Sequence, residues 1–170
     1  MELLDVVDAD GNKIAVMDRN TVHEKNLLHY EVYCMIINDK KEVLLQKRSA
    51  TKKLNPNIYA ITAGHVATGE DFETAIIREV KEELGLDVKK EELKKYTDNE
   101  VKIRERNSNI SVYYYIKRNI KEEEFKIQEE ELSEVKWFRI DDIIEMIKNE
   151  SPLIVWKEHW IPFFEIAKSL

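Results

Sequence analysis

The stretch Gly64-His65-Val66-Ala67-Thr68-Gly69-Glu70-Asp71-Phe72-Glu73-Thr74-Ala75-Ile76-Ile77-Arg78-Glu79-Val80-Lys81-Glu82-Glu83-Leu84-Gly85-Leu86 decides the reading of this chain. It opens as a loop bearing Gly64 and Gly69, and a backbone without Cβ can approach a ligand closely. From Glu70 the period becomes helical: Phe72, Ile76, Val80 and Leu84 recur every four residues with Ile77 beside them, and Gly85 is a stop signal. On that helix Glu79, Glu82 and Glu83 fall within an arc of roughly 100°. Like charges so spaced cost a few tenths of a kcal/mol per pair unless a cation neutralises them. Clustered carboxylate oxygens are what a hard divalent ion prefers. The spacing thus fits a magnesium site, and it also fits a solvated acidic face, because Glu91-Glu92-Leu93 repeats the local pattern of Glu82-Glu83-Leu84.

Outward from this stretch, the chain has 170 residues, 43% of them hydrophobic and 36% charged. This suits a single domain over 1–170, since about 150 residues bury roughly 70% of the surface their unfolded chain exposes. Lys and Arg number 27 against 34 Asp and Glu, a formal charge of −7. That balance argues against general nucleic-acid binding, which depends on cations neutralising phosphates. The one cysteine, Cys34, lies in the apolar run Val32–Ile37 and has no intrachain partner for a disulfide. No apolar run approaches the 18 or so residues of a membrane span, and the start lacks the pattern of a signal peptide. A cytoplasmic location without membrane association is the expectation.

Residues 1–20 read as a β-hairpin, Leu3–Val7 and Lys13–Met17 joined by the turn chemistry of Asp8-Ala9-Asp10-Gly11-Asn12. A second hairpin follows, Tyr30–Ile37 and Glu42–Gln46 around Asn38-Asp39-Lys40-Lys41. Ile58–Thr62 reads as a short strand entering the glycine loop. Further strands are expected at Ile110–Lys117 and Glu134–Phe138, and a short amphipathic helix over Asp141–Ile147. A last helix, 152–167, would present Trp156, Trp160, Phe163 and Phe164, either as a face on the core or as the contact of a homodimer.

At every defined position Gly64–Leu86 resembles the Nudix box: Gly, five residues, Glu, seven residues, then Arg-Glu-aliphatic-any-Glu-Glu-any-Gly-aliphatic. The resemblance implies a mixed β-sheet in an α/β/α sandwich, with the box at 64–86 as a loop-helix-loop and Mg2+ or Mn2+ as the working ion. It implies that Glu79, Glu82 and Glu83 are metal carboxylates, that the Gly64 carbonyl is a further ligand, and that Arg78 and Glu70 form an ion pair. The implied reaction is hydrolysis of a diphosphate linkage in a small molecule. Metal ions stabilise the charge that builds on phosphate oxygens and lower the pKa of the attacking water, and a carboxylate must take the proton. That base is either a glutamate of the box or Glu131, whose plain reading is one member of a solvated acidic run. For the phosphates, Arg48 is the preferred ligand because a guanidinium engages oxygens bidentately. Lys47 beside it is a second cation with an equally good surface role.

The resemblance extends to the isopentenyl-diphosphate isomerase-like branch through Asp5-Val6-Val7-Asp8-Ala9-Asp10-Gly11, His29, Leu44–Ser49 and Lys53. In that isomerase, histidines at places similar to His23, His29 and His65 help hold a metal. Their plain reading is two polar residues flanking a strand and, in His65, a loop residue near the substrate. The isomerase also needs a cysteine where this chain has Ala63, which is neither acid nor base, so hydrolysis is expected over isomerisation. A third reading, a module that binds a diphosphate compound without cleaving it, is disfavoured because no box carboxylate is missing.

Overall fold

The computed structural model describes residues 2–52, 54–96, 100–102 and 108–170, with 100–102 described by backbone alone; Lys53 lies outside the described residues. In chain order the elements are β1 (Leu3–Val7), β2 (Lys13–Asp18), α1 (Arg19–Glu24), β3 (His29–Ile37), β4 (Glu42–Arg48), β5 (Tyr59–Ala60) and β6 (Thr62–His65). There follow α2 (Phe72–Leu84), β7 (Lys94–Lys95), β8 (Glu100–Lys102), β9 (Asn109–Lys117), β10 (Leu132–Arg139), α3 (Ile140–Lys148) and α4 (Ile161–Ala167). Strands and helices together give the expected α/β class. The chain divides into two compact units, with β3, β6, α2 and β9 contributing residues to each.

The first unit comprises residues through Cys34, Ala63–Glu79 and Val88–Tyr115. Here β1 and β2 pair antiparallel from Leu3↔Asp18, with an irregularity after Val6. Their turn is held by the Asp8 carboxylate, which accepts from the backbone N–H groups of Asp10 and Asn12, while Gly11 takes a φ of +86° that favours glycine. Leu4, Val6 and Val22 form one buried cluster, and Val7, Leu28 and Ile110 another. The helix α1 lacks a signal in the apolar pattern because it is six residues long and buries Val22 alone. Its N-terminus is fixed by Asp18, whose side chain accepts from the Thr21 N–H at 3.1 Å. Within this unit β9 pairs antiparallel with β7 and β8.

The second unit comprises Met35–Thr62, Val80–Asp87 and Ile116–Leu170. Its centre is β4, which pairs antiparallel with β10 over seven register positions, with β5 at Gln46↔Ala60 and with the end of β3 at Ile37↔Val43. Val43, Leu44 and Leu45 are buried in succession, as a strand covered on both faces requires. The helix α3 buries Ile140, Ile143, Ile144 and Ile147, the three- and four-residue spacing of one apolar stripe.

The C-terminal helix is shorter than the expected 152–167. Only Ile161–Ala167 is α-helical, preceded by a 3-10 turn over Glu158–Trp160. Ile154 is instead extended and bridges parallel to Tyr59, and Pro162 in the first turn sets the helix start. Of its aromatic set, Trp156 and Phe164 are buried and pack edge-to-face at 4.8 Å, whereas Trp160 and Phe163 are half-buried. The expected strand Ile58–Thr62 is divided into β5 and β6, which pair with β4 and β3. Among the described residues no helix is long and apolar enough to cross a membrane.

Candidate functional site

The helix α2 begins at Phe72, where Asp71 accepts a hydrogen bond from the Thr74 N–H at 2.7 Å, and it ends at Gly85, whose φ of +68° suits glycine. Ile76, Val80 and Leu84 are buried along one face. That fixes the rotation of the helix, and hence which side carries Glu79, Glu82 and Glu83.

In the first unit Arg78 is the hub. Its Nε and Nη2 donate to the two oxygens of Glu70, each at 3.0 Å, Nη1 donates to Glu79 Oε1 at 2.7 Å, and Nη2 also donates to the His65 carbonyl at 3.0 Å. Bidentate pairing with Glu70 holds the guanidinium pKa above its ordinary value, and Glu79 adds to the effect. The loop entering the helix is tied down again where Glu70 Oε2 accepts from the Ala67 N–H at 3.2 Å. Gly64 sits in β6 against Glu79. A Cβ built on it would lie 2.0 Å from the Glu79 carboxyl carbon, so only glycine lets that carboxylate reach the strand backbone. A backbone carbonyl and carboxylates are the donor set a hard cation takes, and the close approach of Glu79 to Gly64 is what such a ligand set requires.

In the second unit Glu83 is buried, while Glu82 on the same helix is exposed. Gln46 of β4 donates from Nε2 to Glu83 Oε2 at 2.6 Å, and the Thr62 hydroxyl donates to Gln46 Oε1 at 3.0 Å. Arg48 ends β4, and its Nε donates to the Leu54 carbonyl at 3.2 Å. Lys47 lies over the Tyr59 ring, 5.6 Å from its centroid. Glu131 precedes β10 and is paired with Lys52, while its backbone carbonyl accepts from the Ser49 N–H at 2.8 Å.

The first unit also brings His23, His29 and His65 together, with one ring nitrogen from each lying within 4.8 Å of the others. His23 Nε2 and His65 Nε2 are 3.0 Å apart, a hydrogen bond. His29 Nδ1 lies 2.9 Å from the Leu27 carbonyl and donates to it, and among the described residues its buried Nε2 has no hydrogen-bond partner. Glu31 stands beside them, its Oε1 3.6 Å from His65 Nε2 and 3.9 Å from His29 Nε2. Its other oxygen accepts from Asn109 Nδ2 and from the Tyr33 hydroxyl, each at 2.5 Å. Burial and the neighbouring Arg19 and His29 charges push the His65 pKa down to about 2, and burial lowers that of His23. At neutral pH His65 is therefore a neutral imidazole. A ligating histidine typically donates its second nitrogen to a carbonyl, and His29 makes that contact with Leu27.

Sequence reasoning passed over Gln46, Thr62 and Glu31 as site residues. The available signal was a polar side chain inside an apolar strand run, Val43-Leu44-Leu45-Gln46 and Tyr30-Glu31-Val32, since a buried polar group must find a partner.

The sequence model of the NUDIX domain matches residues 27–162. An uncharacterized Nudix hydrolase of Clostridium acetobutylicum is 38% identical over 96 residues, covering 54% of this chain and 46% of its own length. An isopentenyl-diphosphate delta-isomerase of Paenarthrobacter aurescens is 39% identical over 94 residues, covering 54% of this chain and 51% of its own. The aligned region spans about half the length of these curated relatives. Among solved structures, that of DR0079 from Deinococcus radiodurans superposes with a TM-score of 0.76 at 17% identity, covering 96% of this chain and 98% of its own.

Proposed function

The chain belongs to the NUDIX domain family, and from that premise we propose that it hydrolyses a diphosphate linkage in a small molecule such as a nucleoside diphosphate derivative, with Mg2+ or Mn2+ as cofactor. The observation that carries this reading is the complete carboxylate set of α2, with Glu79 held by Arg78 against Gly64 and Glu83 held by Gln46. Glu79, Glu82, Glu83 and the Gly64 carbonyl would hold the ion. When bound, such an ion neutralises charge on phosphate oxygens and lowers the pKa of a ligated water.

The remaining work falls to the chain. Arg78 clamps the loop to the helix through Glu70, so that the carboxylates meet the substrate already positioned. Arg48 and Lys47 are the proposed phosphate ligands, with His65 beside the substrate. The proton of the attacking water goes to Glu82, Glu83 or Glu131. Glu131 is paired with Lys52, so its carboxylate is already engaged. That leaves the two box glutamates as the better candidates.

A second reading is favoured by one observation, the convergence of His23, His29 and His65. It fits a metal held as in the isomerase-like branch, and with it an isomerase-like reaction, though Ala63 supplies neither acid nor base. Turnover in water enriched in oxygen-18 separates the two. Hydrolysis places one labelled oxygen on a phosphoryl product, whereas isomerisation leaves the phosphates unlabelled, and an unlabelled product would overturn the proposal.

A further inference from the structure

We propose that Gln46, backed by Thr62, is the residue that positions Glu83 for the ion, so that the sheet as well as the helix builds the metal site. This deepens the reading of α2 as a divalent-ion site and rests on it.

Gln46 occupies a buried position on β4, directly after Val43, Leu44 and Leu45, and is 4% exposed. An amide there is unfavourable unless both its ends are satisfied. The Thr62 hydroxyl, also buried, has a proton to give, so it faces the amide oxygen at 3.0 Å. That leaves the amide nitrogen to face Glu83 Oε2 at 2.6 Å, and an ionised carboxylate can only accept. The amide is thus oriented by chemistry at both ends, and the chain of donors runs in one direction, from Thr62 through Gln46 to Glu83. A glutamine in this setting does two things that a hydrophobic residue would not. It gives a buried carboxylate, only 7% exposed, a donor from the sheet, and it fixes one of the two oxygens, which sets the direction of the other. Ligating carboxylates are in turn hydrogen-bonded, and loss of such an outer partner typically costs ten- to a hundredfold in metal affinity. Glu82 is exposed on the same helix, whereas Glu83 is buried against Gln46 of the sheet.

The test reads metal binding without substrate. Mn2+ is titrated into the protein, bound ion is followed by loss of the free-ion paramagnetic resonance signal, and the fraction that Mg2+ displaces is taken. Mg2+ competes for oxygen ligands and poorly for imidazoles, so this fraction reports the carboxylates and leaves the histidine cluster aside. Gln46→Met, similar in size and lacking the donor, is expected to weaken that binding at least tenfold, with Glu83→Gln as the reference for full loss. If Glu83→Gln loses the Mg2+-displaceable Mn2+ while Gln46→Met binds as the parent does, the proposal for Gln46 fails and the ligand reading stands. If both variants bind as the parent does, the ligand reading itself fails and takes the proposal with it. Should Gln46→Met not fold, Thr62→Val carries the test, since it frees the amide while keeping it. A several-fold weakening is expected there, and unchanged affinity overturns the proposal.

Discussion

Replacing Arg78 by alanine removes at least four hydrogen bonds at once, among them two to Glu70, one to Glu79 and one to the His65 carbonyl. The Glu70 and Glu79 side chains are 13% and 14% exposed, so two poorly hydrated carboxylates lose their cation. Breaking a buried pair by deleting one partner costs about 3–5 kcal/mol. The Arg78 side chain is 31% exposed, so solvent screens part of this, and about 2–4 kcal/mol is the expected loss. For a domain of this size that lowers the melting temperature by roughly 5–12 °C. Arg78→Lys keeps the charge but not the fork, and should recover less than half of the loss. Differential scanning calorimetry at matched pH and salt is the assay. A melting temperature within about 1 °C of the parent in Arg78→Ala would refute the argument, because it would mean that the loop and helix are held by something other than this guanidinium.

Three further outcomes are expected. Glu82→Gln and Glu83→Gln should each keep the parent's circular dichroism and lose at least a hundredfold in kcat/KM, and full activity in either would count against the ligand assignment. Gly64→Ala places a Cβ 2.0 Å from the Glu79 carboxyl carbon; Glu79 must swing away, so Mg2+ activation should be lost at a stability cost of about 1–3 kcal/mol, checked by activation curves beside thermal melts. For His65 the folded pKa of about 2 lies below the unfolded value of 6.5, so the unfolded state binds the extra proton as pH falls below 6.5 and stability declines there. Between pH 7 and 5 this amounts to about 2 kcal/mol, and urea melts of His65→Asn should show a decline smaller by that amount.

The helix of the box was legible because its two signals coincide. The four-residue spacing of Ile76, Val80 and Leu84 marks the buried face, and Asp71 and Gly85 mark its ends. The α/β class and the family follow from the same stretch. The ion pair of Arg78 with Glu70 is the one that the resemblance to the Nudix box implied. Other features were hidden for physical reasons. The short α1 has no room for a helical period, and its cap Asp18 reads equally well as the end of a strand. Pro152 resembled a helix start, but Ile154 is drawn into a bridge with Tyr59 that no local pattern encodes. Gln46, Thr62 and Glu31 owe their places to partners 16 to 78 residues away, as in Thr62 with Gln46 and Asn109 with Glu31. The three histidines had a family precedent, and their convergence depends on the pairing of β6 with β3.

The most direct test of the central claim is a Mg2+-dependent turnover screen over nucleotide-sugar, dinucleotide and prenyl diphosphates, with products resolved by chromatography and Glu83→Gln as control. The account predicts a diphosphate cleaved only with the divalent ion present, and not by the control. Cleavage that persists in Glu83→Gln, or that proceeds equally well with the ion chelated, would contradict it.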